Sequence, residues 1–328
     1  MFGKRTTYNA TGPSPTNASS EIHSSIAFSV VPMLHFAVMV LGLIVNVCMI
    51  NLGLRLCRPP KARSRCDYFF VVVGLCDIGT LSATPLWVMQ NMAKEWIFGY
   101  VVCKATKGVI TFCLQYGVLM MVCISVERYN RVVLRKAAFS SLKRVKGEWA
   151  RRAFLSLVCA IPPSVSALVN ISNHETFKVG LITLCADTYS PSERFVITWI
   201  RMTICFIAPC IILAACYGAI FFTVRRHVRR GSAHLKREQL PLAKSYILSL
   251  LTVIVFVCCW TPWIAVSIYY SLTKTLVHNQ LKLFLVTNVS LAARNMQCIT
   301  TPALYLSMRT PQSVRRIGST STKSGSNT

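Results

Sequence analysis

The stretch GVITFCLQYGVLMMVCISV, residues 108–126, decides the fold because none of its side chains carries a charge. A bilayer holds no water to satisfy a bare backbone group, so an apolar run of about 20 residues is stable there as a helix. Glu127, Arg128 and Tyr129 follow at once, so the apolar run ends at a charged boundary. We therefore predict a transmembrane helix that ends where it meets water.

Six further apolar stretches of similar length flank this helix. The chain has 328 residues, 53% of them hydrophobic and 14% charged, whereas soluble domains carry about a quarter charged residues. We expect an all-α membrane protein, a seven-transmembrane helix bundle in one domain with no internal repeat. The predicted helices are 26–54, 67–92, 100–133, 150–170, 195–224, 242–271 and 281–306.

The positive charges predict the orientation. The formal net charge is +26, and 24 of the 36 Lys and Arg residues fall in 55–66, 130–152, 225–244 and 307–328. Short loops rich in Lys and Arg stay in the cytosol, so the N-terminus is predicted outside. Residues 1–25 then form an extracellular tail and 307–328 a cytoplasmic tail around the bundle, 26–306. Basic cytosolic faces also meet the anionic lipid bilayer, which argues against a nucleic-acid partner.

Two kinds of covalent modification are expected on the outer side. Asn9 and Asn17 in the tail, and Asn170 at the second outer loop, each begin a glycosylation acceptor pattern. Cys103 opens the third helix and Cys185 lies in the second outer loop, both in an oxidising compartment. A disulfide between them would pin that loop over the mouth of the bundle.

Signatures of enzymes are missing from the sequence. It contains no Gly-rich phosphate loop, no nucleophile elbow and no His-Glu-x-x-His pattern. We therefore expect neither catalytic residues, nor a metal, nor a cofactor.

Short motifs on most of the helices resemble those of rhodopsin-like (class A) G-protein-coupled receptors. Glu127-Arg128-Tyr129 resembles the Asp/Glu-Arg-Tyr signature of the third helix. Phe256, Cys259, Trp260 and Pro262 have the spacing of the sixth-helix motif. Further marks are Asn46, Asp77, Trp96, Gly99, Pro209, Tyr217, Pro302 and Tyr305. Over residues 26–318 the chain looks like a divergent orphan or virus-encoded member near the peptide and chemokine branch.

The resemblance implies a plasma-membrane receptor that passes an extracellular signal to heterotrimeric G proteins. The sixth helix would swing outward about the Pro262 kink, beside Trp260 and Phe256. Arg128 would then reach the G protein, while Tyr217 and Tyr305 turn inward. The residues assigned to activation and coupling are Glu127, Arg128, Tyr129, Tyr217, Phe256, Trp260, Pro262, Pro302 and Tyr305. A Ser- and Thr-rich tail, 318–328, suits receptor kinases and arrestin, and a short amphipathic eighth helix would precede it.

Several departures from the family pattern bear on the inactive state. Thr301 stands where relatives have Asn, and Gly117 replaces a hydroxyl or amide, so the polar core of Asp77, Asn46 and Thr301 lacks the usual sodium ligands. Relatives also place an acid at the inner end of helix six, where this chain has Leu242 and Lys244. Glu127 is then the only acidic residue left that could hold Arg128 in the inactive state. We hypothesise high ligand-independent signalling; the alternative is that packing alone holds the receptor closed.

The second inner loop bears on the class of G protein. Relatives usually have Pro and a bulky apolar residue where this chain has Arg135 and Lys136. Loss of that apolar plug favours the inhibitory class. A seven-helix scaffold or decoy receptor that acts only by partner binding is the alternative function.

The ligand cavity is predicted to be cationic. Ile110 replaces the aspartate of amine receptors, and Asn295 replaces the lysine that carries retinal. Arg201 and Arg294 each precede a helix proline by eight residues, which puts both roughly 12 Å outside it. The remaining cavity residues are Lys107, Trp87 and Trp260. This set suits an anionic or peptide ligand, although both arginines could instead snorkel to water.

Overall fold

The structure is a computed structural model that describes residues 15–57, 67–134, 142–230, 236–272 and 280–307. Its labelled elements are α1 (Pro15–Cys57), α2 (Asp67–Ala93), α3 (Gly99–Val132), α4 (Leu142–Ser172), β1 (His174–Val179), β2 (Ile182–Asp187), α5 (Pro191–Met202), α6 (Ala208–Arg230), α7 (Lys236–Leu272) and α8 (Gln280–Asn295). A further helical stretch at 297–307 follows α8.

Seven helical spans account for the bundle, as the sequence predicted. Among the described residues, six helical segments are long and apolar enough to cross a membrane. The fifth consists of α5, a π-helical turn at Thr203–Ile207 and α6. The seventh is interrupted, because α8 ends at Asn295, Met296 forms a turn, and the chain resumes as a helix at 297–307. The predicted eighth helix would lie beyond residue 307, outside the described residues.

Most helices extend further than the apolar runs predicted. α1 begins at Pro15 and α7 at Lys236, whereas the sequence placed these starts at 26 and 242. Hydropathy marks only the part of a helix that lies in lipid, while backbone hydrogen bonding continues into water. Asn17 therefore lies in the first turns of α1, and Asn9 lies outside the described residues.

The core lies where α2, α3, α6, α7 and the last helical stretch meet. Its largest fully buried side chains include Phe69, Met120, Phe256 and Tyr305. Small residues let the helices approach, since a Cβ at Gly79 would lie 2.7 Å from the Cys113 sulfur. The opposite surfaces are apolar and exposed, as Phe154, Leu157 and Leu168 of α4 show, because they face lipid.

A β-hairpin covers the outer end of the bundle. β1 and β2 pair antiparallel, with Thr176 opposite Cys185. The predicted disulfide between Cys103 and Cys185 is confirmed and ties β2 to α3. Gln90 of α2 hydrogen-bonds both the carbonyl (3.0 Å) and the amide (3.2 Å) of Cys185. The hairpin is therefore anchored to two helices.

The first outer loop supports the same hairpin. The Trp96 amide donates to the Thr183 carbonyl at 2.7 Å, and its buried indole donates to the Gly99 carbonyl at 2.8 Å. Gly99 has a φ of +78°, a conformation that glycine adopts without strain. This explains why the loop needs Trp and Gly at this spacing.

Candidate functional site: an inner arginine cavity and an outer cationic cluster

A cavity opens beside Arg128 near the inner end of α3. Its enclosed space is about 20 Å³, enough for about one water molecule. Its lining is mixed, with one cation among apolar and hydroxyl side chains: Phe70, Met121, Ile124, Ser125, Arg128, Leu213, Tyr217, Thr252, Val253 and Thr301. The Arg128 guanidinium lies 5.9 Å from the centre of the Phe70 ring. A partner that enters from the cytosol would meet this cation first.

Both predicted switch tyrosines point into the bundle. The Tyr217 hydroxyl lies 3.0 Å from the Ser125 hydroxyl, and both side chains are buried. Tyr305 is fully buried, with its ring 4.4 Å from that of Phe70. The third and fifth spans are thus linked beside the cavity, and Tyr305 packs against Phe70, which lines it.

Glu127 pairs with a helix that the sequence did not suggest. Its carboxylate forms a 3.2 Å salt bridge with Arg151 of α4, and only 6% of the Glu127 side chain is exposed. α4 thus brings a cation, Arg151, to the carboxylate beside Arg128. Tyr129 is half-buried in the last turn of α3, where its carbonyl accepts the Val133 amide.

The aromatic pair of α7 lies above the cavity. The rings of Phe256 and Trp260 are 5.4 Å apart, and Phe256 is fully buried. The Trp260 indole donates to Gln297, whose amide in turn contacts the Met121 sulfur at 3.5 Å. Because Met121 lines the inner cavity, Gln297 and Met121 form a continuous chain of contacts from Trp260 to the cavity. α7 continues through Pro262, which is exposed on its lipid side.

The polar core is organised around Cys298, a residue not singled out from the sequence. Pro302 lacks an N–H, so the Cys298 carbonyl loses its helical donor. Asn46 replaces that donor at 2.7 Å, and also bonds the Gly42 carbonyl at 2.8 Å. The Cys298 thiol also hydrogen-bonds Asp77.

One Asp77 oxygen and the Thr301 hydroxyl are buried without a hydrogen-bond partner. The Thr301 hydroxyl therefore forms no hydrogen bond with Asp77 in this structure. The signal for Cys298 was available in the sequence, since it precedes Pro302 by one helical turn.

The outer end of α3 carries an ion pair. Lys107 lies 3.1 Å from Asp187 of β2 and 5.6 Å from the centre of the Trp87 ring. His174 bonds the same carboxylate oxygen at 2.8 Å. The disulfide-linked hairpin folds Asp187 back over Lys107. Ile110 lies one turn further in on α3 and is half-buried.

Burial and neighbouring charges shift the pKa values of Asp187 and His174. Burial raises the pKa of Asp187, but the bond from His174 and the charge of Lys107 outweigh it, so the pKa lies below its usual range. Burial is the main reason why the pKa of His174 falls below 6.5, and the bond to Asp187 opposes it. At neutral pH the site therefore holds a carboxylate, a neutral imidazole and a lysine.

Arg201 is held by Asn170. Its guanidinium donates to the Asn170 side-chain oxygen at 2.9 Å. The Asn170 amide nitrogen donates to the Ser166 carbonyl at 2.7 Å, and the residue is buried within α4. A glycan at Asn170 is therefore incompatible with this fold, because the atom that would carry it is buried and hydrogen-bonded. The apparent acceptor pattern marks an arginine-orienting residue instead.

Arg294 is the most deeply buried of the outer cations. Only 5% of it is exposed, and its guanidinium stacks 4.7 Å from the centre of the Trp263 ring. One nitrogen donates to Asn295 at 3.3 Å, and Asn295 donates to Thr84 at 3.4 Å. The sequence did not predict this contact of Trp263, because it depends on how α7 is rotated about its own axis in the bundle.

Comparison with known proteins agrees with this geometry. The model of the family described as "7 transmembrane receptor (rhodopsin family)" matches residues 51–305, more than half of the chain. The chain belongs to the rhodopsin family of seven-transmembrane receptors. It is accordingly a signalling receptor of the plasma membrane that crosses the bilayer several times, and not an enzyme.

Three relatives show which receptors the chain is similar to. The type-2 angiotensin II receptor of Mus musculus is 25% identical over 299 residues, which cover 86% of this chain and 76% of the relative. C-X-C chemokine receptor type 3 of Capra hircus is 24% identical over 318 residues, 93% and 79% of the two chains. Apelin receptor A of Danio rerio is 26% identical over 250 residues, 72% and 66%. The chain is thus similar, over at least 72% of its length, to receptors whose names refer to angiotensin II, C-X-C chemokines and apelin.

Proposed function

We propose that this receptor activates heterotrimeric G proteins to a high level without a ligand, and that an extracellular ligand with an acidic group sets that level. The observation that carries the proposal is the inner cavity, where Arg128 lies within reach of the cytosol and Tyr217 already bonds Ser125. A G protein inserts a helix at this place when the helices part, and a cation there bonds its backbone carbonyls.

High basal activity is supported by what surrounds Arg128. The inner end of α7 carries Leu242 and Lys244 where an acid would restrain it. A two-state receptor whose inactive state lacks this acid of helix six populates the active state more often. Arg135 and Lys136, outside the described residues, favour inhibitory G proteins.

An acidic ligand is supported by the outer cationic cluster, defined as Lys107, Arg201 and Arg294. These three cations come from α3, α5 and α8, and Arg201 lies close enough to act electrostatically on both Lys107 and Arg294. The names of the relatives refer to angiotensin II, C-X-C chemokines and apelin. A peptide with an acidic group is therefore the ligand class that we propose.

Desensitisation and membrane contact complete the proposal. Ser and Thr residues of 318–328, outside the described residues, would be substrates for receptor kinases and then bind arrestin. The basic inner loops would bind anionic lipid. Glycans would be carried by Asn9 and Asn17 in the outer tail.

The test is ligand-free G-protein dissociation in cells that lack individual G-protein families. We expect dissociation of an inhibitory G protein in cells that express the wild-type receptor, and its loss in Arg128→Ala at equal surface expression. Dissociation that persists in Arg128→Ala would reject the role of this cavity. Silence of the wild-type receptor in every cell line would reject basal signalling and favour the scaffold function.

A further inference from the structure

We infer that the outer cationic cluster takes a ligand with two acidic groups, one bound at Arg201 and the other at Arg294. The inference rests on the proposed acidic ligand and specifies how many charges it brings and where they bind. The inference rests on which of the three cations in the cluster already pair with a carboxylate.

Lys107 is already compensated. Its ammonium lies 3.1 Å from Asp187, and the hydrogen bond from His174 holds the same carboxylate in place. The disulfide at Cys185, two residues earlier in β2, fixes this part of the hairpin on α3. Lys107 and Asp187 therefore form a built-in neutral pair.

The two arginines have no such partner. In the part of the chain that the structure describes, neither Arg201 nor Arg294 forms a salt bridge with a carboxylate. Each instead donates to a neutral amide oxygen, of Asn170 at 2.9 Å and of Asn295 at 3.3 Å. Each also leaves its Nε buried without an acceptor. A guanidinium has five donors, so both retain capacity for a bidentate acid.

Two separate acids fit better than one shared acid. The arginines lie on different spans, and each is oriented by its own neutral neighbour, Asn170 of α4 or Asn295 of α8. They repel each other, and burial of uncompensated like charges is costly. One anionic group per arginine removes both the repulsion and the unpaired donors.

The surroundings specify what joins the acids. Arg294 lies against the Trp263 ring, and Lys107 lies beside the Trp87 ring. Aromatic faces bind apolar groups as well as cations. The ligand class is therefore a dianion with an apolar connection, such as a peptide segment with two carboxylates or a long dicarboxylic acid.

The experiment measures thermal unfolding of the purified full-length receptor in detergent. The probes are α,ω-dicarboxylates of six, eight and ten carbons, each compared at equal ionic strength with the monocarboxylate of the same length. We expect at least one dicarboxylate to raise the unfolding midpoint more than its monocarboxylate. Equal effects of diacid and monoacid at all three lengths would overturn the inference.

Variants assign the two acids. Arg201→Gln and Arg294→Gln should each weaken the apparent affinity for the diacid on the order of tenfold, to that of the monoacid. Arg201→Lys and Arg294→Lys keep the charge, so they should keep the preference for the diacid and show that the site is still folded. Lys104→Gln, a matched control whose partner is Glu175 at 3.9 Å, should bind like the wild type. A diacid preference that survives both Gln variants would reject the assignment.

The outcome is separable from that of the proposed function. G-protein dissociation of the wild-type receptor is measured without any ligand, so it does not depend on acid binding. Dissociation that requires Arg128, together with no diacid preference, would leave the signalling function standing and overturn only the two-acid site.

Discussion

Glu127 and Arg151 form a salt bridge of 3.2 Å that joins α3 to α4 immediately beside Arg128. Glu127 is almost completely buried, whereas 51% of the Arg151 side chain is exposed. The Glu127 carboxylate therefore cannot relax into water when Arg151 is removed, so its attraction to the neighbouring Arg128 would strengthen.

We predict that Arg151→Gln lowers ligand-free G-protein dissociation by about threefold, which corresponds to a weak ion pair of less than about 1 kcal/mol. Glu127, no longer compensated by Arg151, would hold Arg128 more strongly and withdraw it from the cavity. Glu127→Gln, with no carboxylate to do this, should not lower the signal. Arg55→Gln, an exposed charge change at the end of α1, is the control. An unchanged signal in Arg151→Gln at equal expression would contradict the prediction.

The disulfide should carry much of the stability of the outer face. Replacing Cys103 and Cys185 together by Ala should cost about 2–5 kcal/mol, because the link closes a long loop and holds the hairpin on α3. The midpoint of thermal unfolding in detergent measures this. Cys48→Ala, which removes an exposed free thiol on α1, should leave the midpoint unchanged. Equal midpoints for the double variant and the wild type would refute the anchoring role.

Acidification should loosen the hairpin through His174. Its pKa is lowered from 6.5, mainly by burial, so the unfolded chain binds the proton more readily than the folded one. Stability is therefore fully present above pH 6.5 and falls as the pH drops from there towards the folded-state pKa. Asp187, whose pKa is also lowered, keeps its contribution until the pH falls below the ordinary carboxyl range.

The measurement compares unfolding midpoints at about pH 7.5 and pH 5, the range in which histidine titrates. The wild-type midpoint should fall more than that of His174→Gln, which has no imidazole to protonate. Lys104 and Lys107, which act on His174 electrostatically, are present in both proteins alike. Parallel falls in the two proteins would show that another group is responsible.

Sodium sensitivity should be restorable by two substitutions. A Cβ at Gly117 would lie 3.5 Å from that of Cys76, an ordinary contact, so serine fits there. With Thr301→Asn added, Asp77 would regain two oxygen ligands beside its unpartnered oxygen. We expect sodium chloride to raise the unfolding midpoint of the double variant above that in choline chloride, and to have no such effect on the wild type. A sodium-specific rise in the wild type would contradict the expectation.

The sequence alone determined the parts of this receptor that depend on local composition. Apolar runs predicted the seven spans, and the Lys and Arg residues of the inner loops predicted the orientation, because transfer into lipid depends on each segment by itself. The pairing of Cys103 with Cys185 also followed, since topology left both in the oxidising compartment. Helix ends were less accurate, because a helix such as α7 continues past the lipid boundary at which hydropathy changes.

The partners of the charged residues were decided only by the tertiary structure. Asn170 has the pattern of a glycan acceptor in the sequence, yet the rotation of α4 turns it inward to orient Arg201. Glu127 reaches Arg151 because α4 packs on α3, and Asp187 reaches Lys107 only because the hairpin folds back. These pairings join residues far apart in sequence, so they depend on how the helices rotate and pack, which no local pattern records.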